Sequence, residues 1–192
     1  DSRDTLSDMA SSTASEKLTL GSLFADHMVL QQKMPVPVWG WCPLDTVVTV
    51  RFGKQNVMAR ADAHGRWQVN LKPLRAGGPH TMTVQTADET RVLCDVWVGE
   101  VYLCSGQSNM SWPVSTAHDP EREIAAGKWP KIRHFQVPKR TSRAAEETTE
   151  GSWEVCSPET VGDFSAVAYF FGRELHRRLK IPIGLIHSSW GG

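Results

Sequence analysis

The chain has 192 residues, 40% of them hydrophobic, which suits one ordinary domain or two small ones with packed cores. Its 21 lysines and arginines balance 21 acidic residues without a basic block, so nucleic acid and anionic membrane surfaces are not expected partners. No apolar run approaches the about 18 residues that indicate a membrane span.

The N-terminal segment is polar and rich in serine and threonine. Segments with few large apolar side chains cannot bury enough surface to offset the entropy lost on ordering. We therefore expect residues 1–17 to be a disordered leader left after processing or cloning, rather than a signal peptide.

Residues 18–93 alternate between apolar and polar side chains with a period of two, which is typical of strands. The strands predicted by this pattern lie at residues 36–41, 46–52, 66–71 and 80–86. Glycine-containing segments at residues 63–65 and 76–79 are predicted to be turns between them. Several short strands at this spacing predict a small all-β sandwich domain over residues 18–93.

Beyond residue 93 the pattern changes to strand, loop and helix, which predicts an α/β domain over residues 94–192. Apolar side chains at helical spacing predict a helix over residues 164–179, followed by a strand over residues 181–187. Residues 111–161 are polar and poor in periodicity, and we expect loops over the active-site edge there. Within them, the charged residues 139–150 are expected to be exposed.

The segment Gly-Gln-Ser-Asn-Met at residues 106–110 follows an apolar run that ends at Cys104. A parallel strand that ends in a glycine turn presents the next side chain at the carboxyl edge of the sheet, where α/β folds keep their active sites. The start of a following helix offers free backbone N–H groups to a developing oxyanion. Ser108 is therefore a candidate nucleophile, although a serine at a helix start is equally typical of an N-cap.

The stretch around Ser108 resembles the first block of sialate O-acetylesterases and related SGNH-type carbohydrate esterases. Two other stretches match the same family in the family's order. The three matching stretches are residues 97–110, residues 181–192, and residues 26–32 running on to 35–40. The resemblance implies an SGNH (flavodoxin-like) hydrolase portion preceded by a β-rich domain.

The resemblance also implies the roles of several residues. Ser108 would attack the acetyl carbonyl, and backbone N–H groups of Ser108 and of Gly191 or Gly192 would hold the oxyanion. Further candidates for lining the substrate site are Gln107, Asn109, Trp112 and His118. Trp112 is either an apolar wall for a sugar or acetyl group or a side chain that staples the helix start to the core.

SGNH hydrolases carry a third-block asparagine and a late Asp-x-x-His or Asp-x-His base downstream of the second block. None of the seven histidines here lies in such a motif. A serine without its base is a poor nucleophile. We therefore expect the chain to be the N-terminal portion of a larger esterase, inactive alone, with the C-terminal part of the same enzyme as its partner. His118 and His187 are the first alternative bases, although His187 is expected to be a packed strand residue.

Four cysteines without a C-x-x-C pair argue against a zinc site, and we expect neither a metal nor a cofactor. Cys104, in the apolar strand that leads to Ser108, is expected to be a buried free thiol. The family resemblance implies export, so a secreted or periplasmic location is expected.

Two functions remain open at this stage. The first is a serine esterase that removes O-acetyl groups from carbohydrate, either sialic acid or an acetylated plant polysaccharide such as xyloglucan or xylan. The second is a non-catalytic carbohydrate-binding or domain-organising fragment built on the sandwich.

Overall fold

Eleven strands and three α-helices make up the regular structure of Ser15 and residues 17–191, which a computed structural model describes. The strands are β1 (Thr19–Leu20), β2 (Val29–Gln31), β3 (Val36–Trp41), β4 (Val47–Phe52), β5 (Gln55–Arg60), β6 (Arg66–Leu71), β7 (Gly77–Gln85), β8 (Thr90–Gly106), β9 (Trp129–Gln136), β10 (Trp153–Cys156) and β11 (Ile183–Ser189). The helices are α1 (Ser108–Ser111), α2 (Pro120–Ala125) and α3 (Ala166–Leu179), with a 3₁₀ turn at Val114–Thr116.

The strands before β8 form two facing layers around one apolar core. One layer has the order β1-β3-β6, and the other is the β8-β7-β4-β5 portion of a larger sheet. Burial alternates along β4 and β6, as the period of two predicted. Fully buried side chains from both layers belong to the same core, among them Val38, Val48, Trp67, Leu71 and Met82. The predicted boundary at residues 93/94 falls inside β8, so the division into two domains stays a prediction.

Two local predictions in this region were wrong. Strand β5 was missed because its apolar residues Val57, Met58 and Ala59 are consecutive in sequence and do not alternate with polar ones. Of the predicted turn at residues 76–79, only Ala76 lies in the connection between β6 and β7, whereas residues 77–79 belong to β7, whose pairing with β8 shifts register between Gly77 and His80. Glycine is required at Gly78, where φ is +139° and an added Cβ would lie 2.9 Å from the Trp97 ring.

Strand β8 is the long element that joins the two halves of the chain. Its first part pairs antiparallel with β7, and its last part pairs parallel with β11, from Glu100 opposite Ile183 to Gly106 opposite Ser189. Strand β11 is also parallel to β9, and β10 adds an antiparallel edge. Helix α3 covers one face of this sheet, where Ile183, Leu185 and Tyr169 are buried together. The α/β class is therefore confirmed.

The expectation of loops throughout residues 111–161 was wrong, because this segment supplies β9 and β10 to the sheet and also contains α2. Four consecutive residues of β9, from Ile132 to Phe135, are buried. Two of them are the polar residues Arg133 and His134, which interrupt the apolar run that marks a buried strand. Residues 139–150 are irregular and nearly all are exposed, as predicted.

Helix α3 and strand β11 lie within two residues of their predicted bounds. Ser165 caps the helix N-terminus by accepting a hydrogen bond from the Ala168 N–H at 3.2 Å. The helix ends at Lys180, which takes a left-handed conformation with φ of 59°. This short connection sends the chain directly back into the sheet.

All four cysteines are free, and Cys104 is buried as predicted. Burial raises the pKa of the Cys104 thiol. Of the predicted leader, only Ser15 and Lys17 belong to the described residues. In the described part of the chain, no helix is both long and apolar enough to cross a membrane.

Candidate active site

Ser108 lies at a tight turn between β8 and α1, as its sequence context predicted. The strand ends at Gly106, whose φ of +150° favours glycine. Gln107 takes the N-cap position without a side-chain cap, and Ser108 is the first helical residue. The alternative interpretation of Ser108 as an N-cap is therefore wrong, and its exposed side chain is not used in capping.

Helix α1 is a single turn of four residues, closed by the Ser111 N–H donating to the Gln107 carbonyl at 3.0 Å. The first N–H groups of a helix have no acceptor within the helix. Helix α1 directly follows the carboxyl end of β8, which pairs in parallel with β11.

Gly191 lies directly against Ser108. The end of β11 is joined to the end of β8 by a hydrogen bond from the Trp190 N–H to the Gly106 carbonyl at 3.2 Å. A Cβ added to Gly191 would lie 3.1 Å from Ser108 Oγ and 3.2 Å from Ser108 Cα. A side chain at this position would therefore be in tight contact with the serine, which the absence of a Cβ in glycine avoids. Gly192, the other predicted oxyanion residue, lies outside the described residues.

A shallow depression of about 490 Å³ surrounds Ser108 and brings together part of the predicted set. Gln107 and Asn109 line it, as expected, together with two residues that the sequence reasoning missed, Met110 and Val167. Val167 belongs to the apolar pattern of α3, yet its side chain is 46% exposed. The sequence shows only that Val167 is apolar, whereas the fold shows that its side chain is exposed beside Ser108.

Trp112 and His118 do not line this depression. Trp112 is half-exposed, and its indole N–H donates to the Thr116 carbonyl at 2.9 Å. The His118 side chain is almost fully exposed, with Asp119 3.5 Å away. Their predicted roles in substrate binding stay predictions.

No histidine hydrogen-bonds Ser108, although all seven belong to the described residues. His187 is buried, as expected of a packed strand residue, and contacts Gln136 and Ser189. Desolvation lowers its pKa and favours the neutral imidazole, while the Met110 carbonyl partly opposes this shift. Among the residues described, no group of three or more ligand side chains could hold a metal ion.

Comparison with known proteins identifies relatives along most of the chain. No protein-family model matches it. Sialate O-acetylesterases from Pongo abelii and Homo sapiens are each 36% identical over 197 residues, which cover 90% of this chain and 38% of each relative. The Mus musculus sialate O-acetylesterase is 32% identical over 190 residues, which cover 88% of this chain and 35% of the relative.

A solved structure also matches. The crystal structure of a carbohydrate acetylesterase from Xanthomonas citri has a TM-score of 0.88 and 40% sequence identity, covering 90% of this chain and 40% of that one. The chain therefore spans well under half the length of these relatives. The matches confirm the family resemblance that the three sequence stretches indicated.

Proposed function

We propose that this chain, a homologue of the sialate O-acetylesterases, carries the nucleophile and part of the oxyanion hole of a serine esterase that removes O-acetyl groups from carbohydrate. The observation that carries the proposal is the contact between Gly191 and Ser108 at the ends of two parallel strands. A serine nucleophile and a backbone donor must both lie within reach of one carbonyl group, and the proximity of Gly191 to Ser108 supports such an arrangement.

In the proposed reaction, Ser108 Oγ attacks the acetyl carbonyl carbon and its proton passes to a histidine outside this chain. The carbonyl electrons move onto oxygen, where backbone N–H groups of Ser108 and of Gly191 or Gly192 stabilise the oxyanion together with an asparagine outside the chain. The intermediate collapses, the sugar oxygen leaves with a proton, and acetyl-serine remains. Water then releases acetate and restores the serine.

The lining of the depression suits an acetylated sugar. Met110 and Val167 offer apolar surface for the acetyl methyl group, and the amides of Gln107 and Asn109 offer hydrogen bonds to hydroxyl groups. Trp112 and His118 are proposed to contact more distant parts of the sugar. Sialic acid and acetylated plant polysaccharides such as xyloglucan or xylan are the proposed substrates, in a secreted or periplasmic setting.

We further propose that residues 94–192 form the N-terminal part of an SGNH (flavodoxin-like) hydrolase domain and that residues 18–93 form a β-sandwich domain before it. Residues 101–106 of β8 pair with β11 on one side, and within the described part of the chain nothing pairs with their other side. Leu103 of this segment is 68% exposed. This open strand edge suits pairing with the C-terminal part that the longer relatives have.

The test is acetyl release by the chain joined to such a C-terminal part, with and without Ser108→Ala. Removal of the attacking oxygen is expected to lower kcat by about 10³-fold or more. Ser105→Ala, which removes an exposed hydroxyl three residues earlier, is the control and should keep wild-type turnover. Circular dichroism checks that both variants fold.

Three outcomes separate the candidate functions. Wild-type turnover by Ser108→Ala would remove Ser108 from the mechanism. Strong hydrolysis by this chain alone would mean that one of its own histidines acts as the base, with His118 and His187 the first to mutate. Absence of hydrolysis in the joined polypeptide, with retained binding of acetylated sugars, would favour the non-catalytic alternative. A panel of acetylated sialic acid, xyloglucan and xylan identifies the substrate.

A further inference from the structure

We propose that Ser111, which is half-buried, and the buried residues Ser189 and His187 form a hydrogen-bonded chain that positions the nucleophile turn against strand β11. Ser111 Oγ lies 2.7 Å from Ser189 Oγ, and Ser189 Oγ lies 2.5 Å from His187 Nε2. His187 Nδ1 lies 2.6 Å from Gln136 Oε1. The chain thus links α1, β11 and β9. Its catalytic consequence rests on the esterase function proposed above.

The donors and acceptors of this chain can be arranged in one consistent order. The Gln136 amide nitrogen donates to the Val137 carbonyl at 3.1 Å, so the amide oxygen faces His187 and accepts from the Nδ1–H group. Nε2 of the neutral ring then accepts from the Ser189 hydroxyl, which in turn accepts from the Ser111 hydroxyl. Each hydrogen atom has an acceptor.

The environment of His187 supports this order. His187 and Ser189 are 4% and 7% exposed, and the His187 ring packs edge-on against Phe164, with ring centroids 5.5 Å apart. Burial lowers the pKa of His187 and outweighs the opposing effect of the Met110 carbonyl, which favours the neutral ring with Nε2 as an acceptor. A charged imidazolium would donate from both nitrogens and would break the order of donors.

Helix α1 needs such external support. A single helical turn is not stable by itself, because nucleation fixes several backbone dihedral angles for one hydrogen bond. None of the α1 residues is buried, and the helix has no side-chain cap. Contacts with neighbouring elements must therefore fix the orientation of α1. One of them is the Ser111–Ser189 hydrogen bond, which connects the helix to β11, the strand that leads to Gly191.

The contacts form a closed path through the site. Ser111 ends the helical turn that Ser108 begins, and its hydroxyl is tied to Ser189, the last residue of β11. Two residues further on, Gly191 returns to Ser108. Breaking the Ser111–Ser189 bond would let the serine move relative to the backbone that approaches it. Ser111, Ser189 and His187 are thus positioning residues for Ser108.

A positioning role predicts a particular kinetic result. In the polypeptide joined to its C-terminal part, Ser111→Ala and His187→Ala are each expected to lower kcat by about 10-fold or more and to change KM little, because misalignment affects the attack rather than ground-state binding. Ser111→Thr keeps the hydroxyl and should restore most of the activity. Ser188→Ala, on the opposite face of β11, is the matched control.

The hydrogen-bond order is tested separately on the 192-residue polypeptide, without any activity measurement. Histidine ¹⁵N chemical shifts at neutral pH should show His187 protonated at Nδ1 and unprotonated at Nε2. Protonation at Nε2 would overturn the order. Unchanged kcat in Ser111→Ala and His187→Ala, in an active wild-type background, would overturn the positioning role. An inactive wild type would instead refute the proposed function and, with it, the catalytic consequence of the chain.

Discussion

Replacement of Gly191 by alanine tests the contact on which the proposed function depends. The new Cβ would lie 3.1 Å from Ser108 Oγ and 3.2 Å from Ser108 Cα. Non-bonded carbon atoms are in best contact at about 3.5–4.0 Å, so the Gly191 backbone would have to move away from the serine by about 0.3 Å or more.

The expected effect follows from the size of this displacement. A misplacement of about 1 Å costs about 10²-fold in rate, and loss of a complete oxyanion donor costs about 10²–10³-fold. A shift of a few tenths of an ångström at a donor should therefore lower kcat by about 10- to 100-fold, equivalent to about 1.4–2.7 kcal/mol of transition-state stabilisation. KM should change much less, because the contact strengthens as charge develops on the oxygen.

The assay compares kcat and KM for an acetylated sugar in the joined polypeptide and its variants. Gly162→Ala is a suitable control, because its Cβ would make an ordinary contact of 3.5 Å with Ile124. Both variants are first checked for folding by urea denaturation. Wild-type turnover by Gly191→Ala would refute the assignment of Gly191, and Gly192→Ala would then test the other predicted donor.

Two further predictions concern stability and can be tested on this chain alone. Burial lowers the pKa of His134 to about 4, below the value of about 6.5 expected in the unfolded chain. Above pH 6.5 the ring is neutral in both the folded and the unfolded chain. As the pH falls from 6.5 towards 4, the free energy of unfolding is expected to decrease by about 3 kcal/mol, because the unfolded chain takes up the proton first. Urea denaturation at pH 7 and pH 4.5 should show a smaller acid loss for His134→Gln than for the exposed control His118→Gln; equal losses would contradict the prediction. Asp95→Asn should destabilise the fold by about 3 kcal/mol, because Arg133 is buried and its Nη1 donates to Asp95 at 2.7 Å. Asp45→Asn, at an exposed ion pair, should cost under about 1 kcal/mol, and similar losses for the two asparagine variants would show that the Arg133 pair is not strongly coupled.

The parts of the fold that the sequence predicted well are those with local signals. The alternating strands β3 and β6 and the amphipathic helix α3 were recognised because burial follows the period of the element. The turn at Ser108 was recognised because a glycine follows an apolar run, and here the structure adds the positive φ of Gly106. Strand β9 was missed because Arg133 and His134 are buried through partners distant in sequence, Asp95 and Thr160.

The same reasoning explains which parts of the site were predictable. Ser108 and Gly191 were found separately, from two stretches of sequence, but their contact depends on the parallel register that places Ser189 opposite Gly106. The chain of Ser111, Ser189 and His187 joins residues up to 78 positions apart and has no local pattern. Two parallel strands bring their carboxyl ends to one edge, so a nucleophile after one strand and a donor after the next meet without any sequence motif that spans both. Ser111 and Ser189 lie at that same edge. Their position there, rather than their residue type, makes these two serines candidates for controlling the position of the nucleophile.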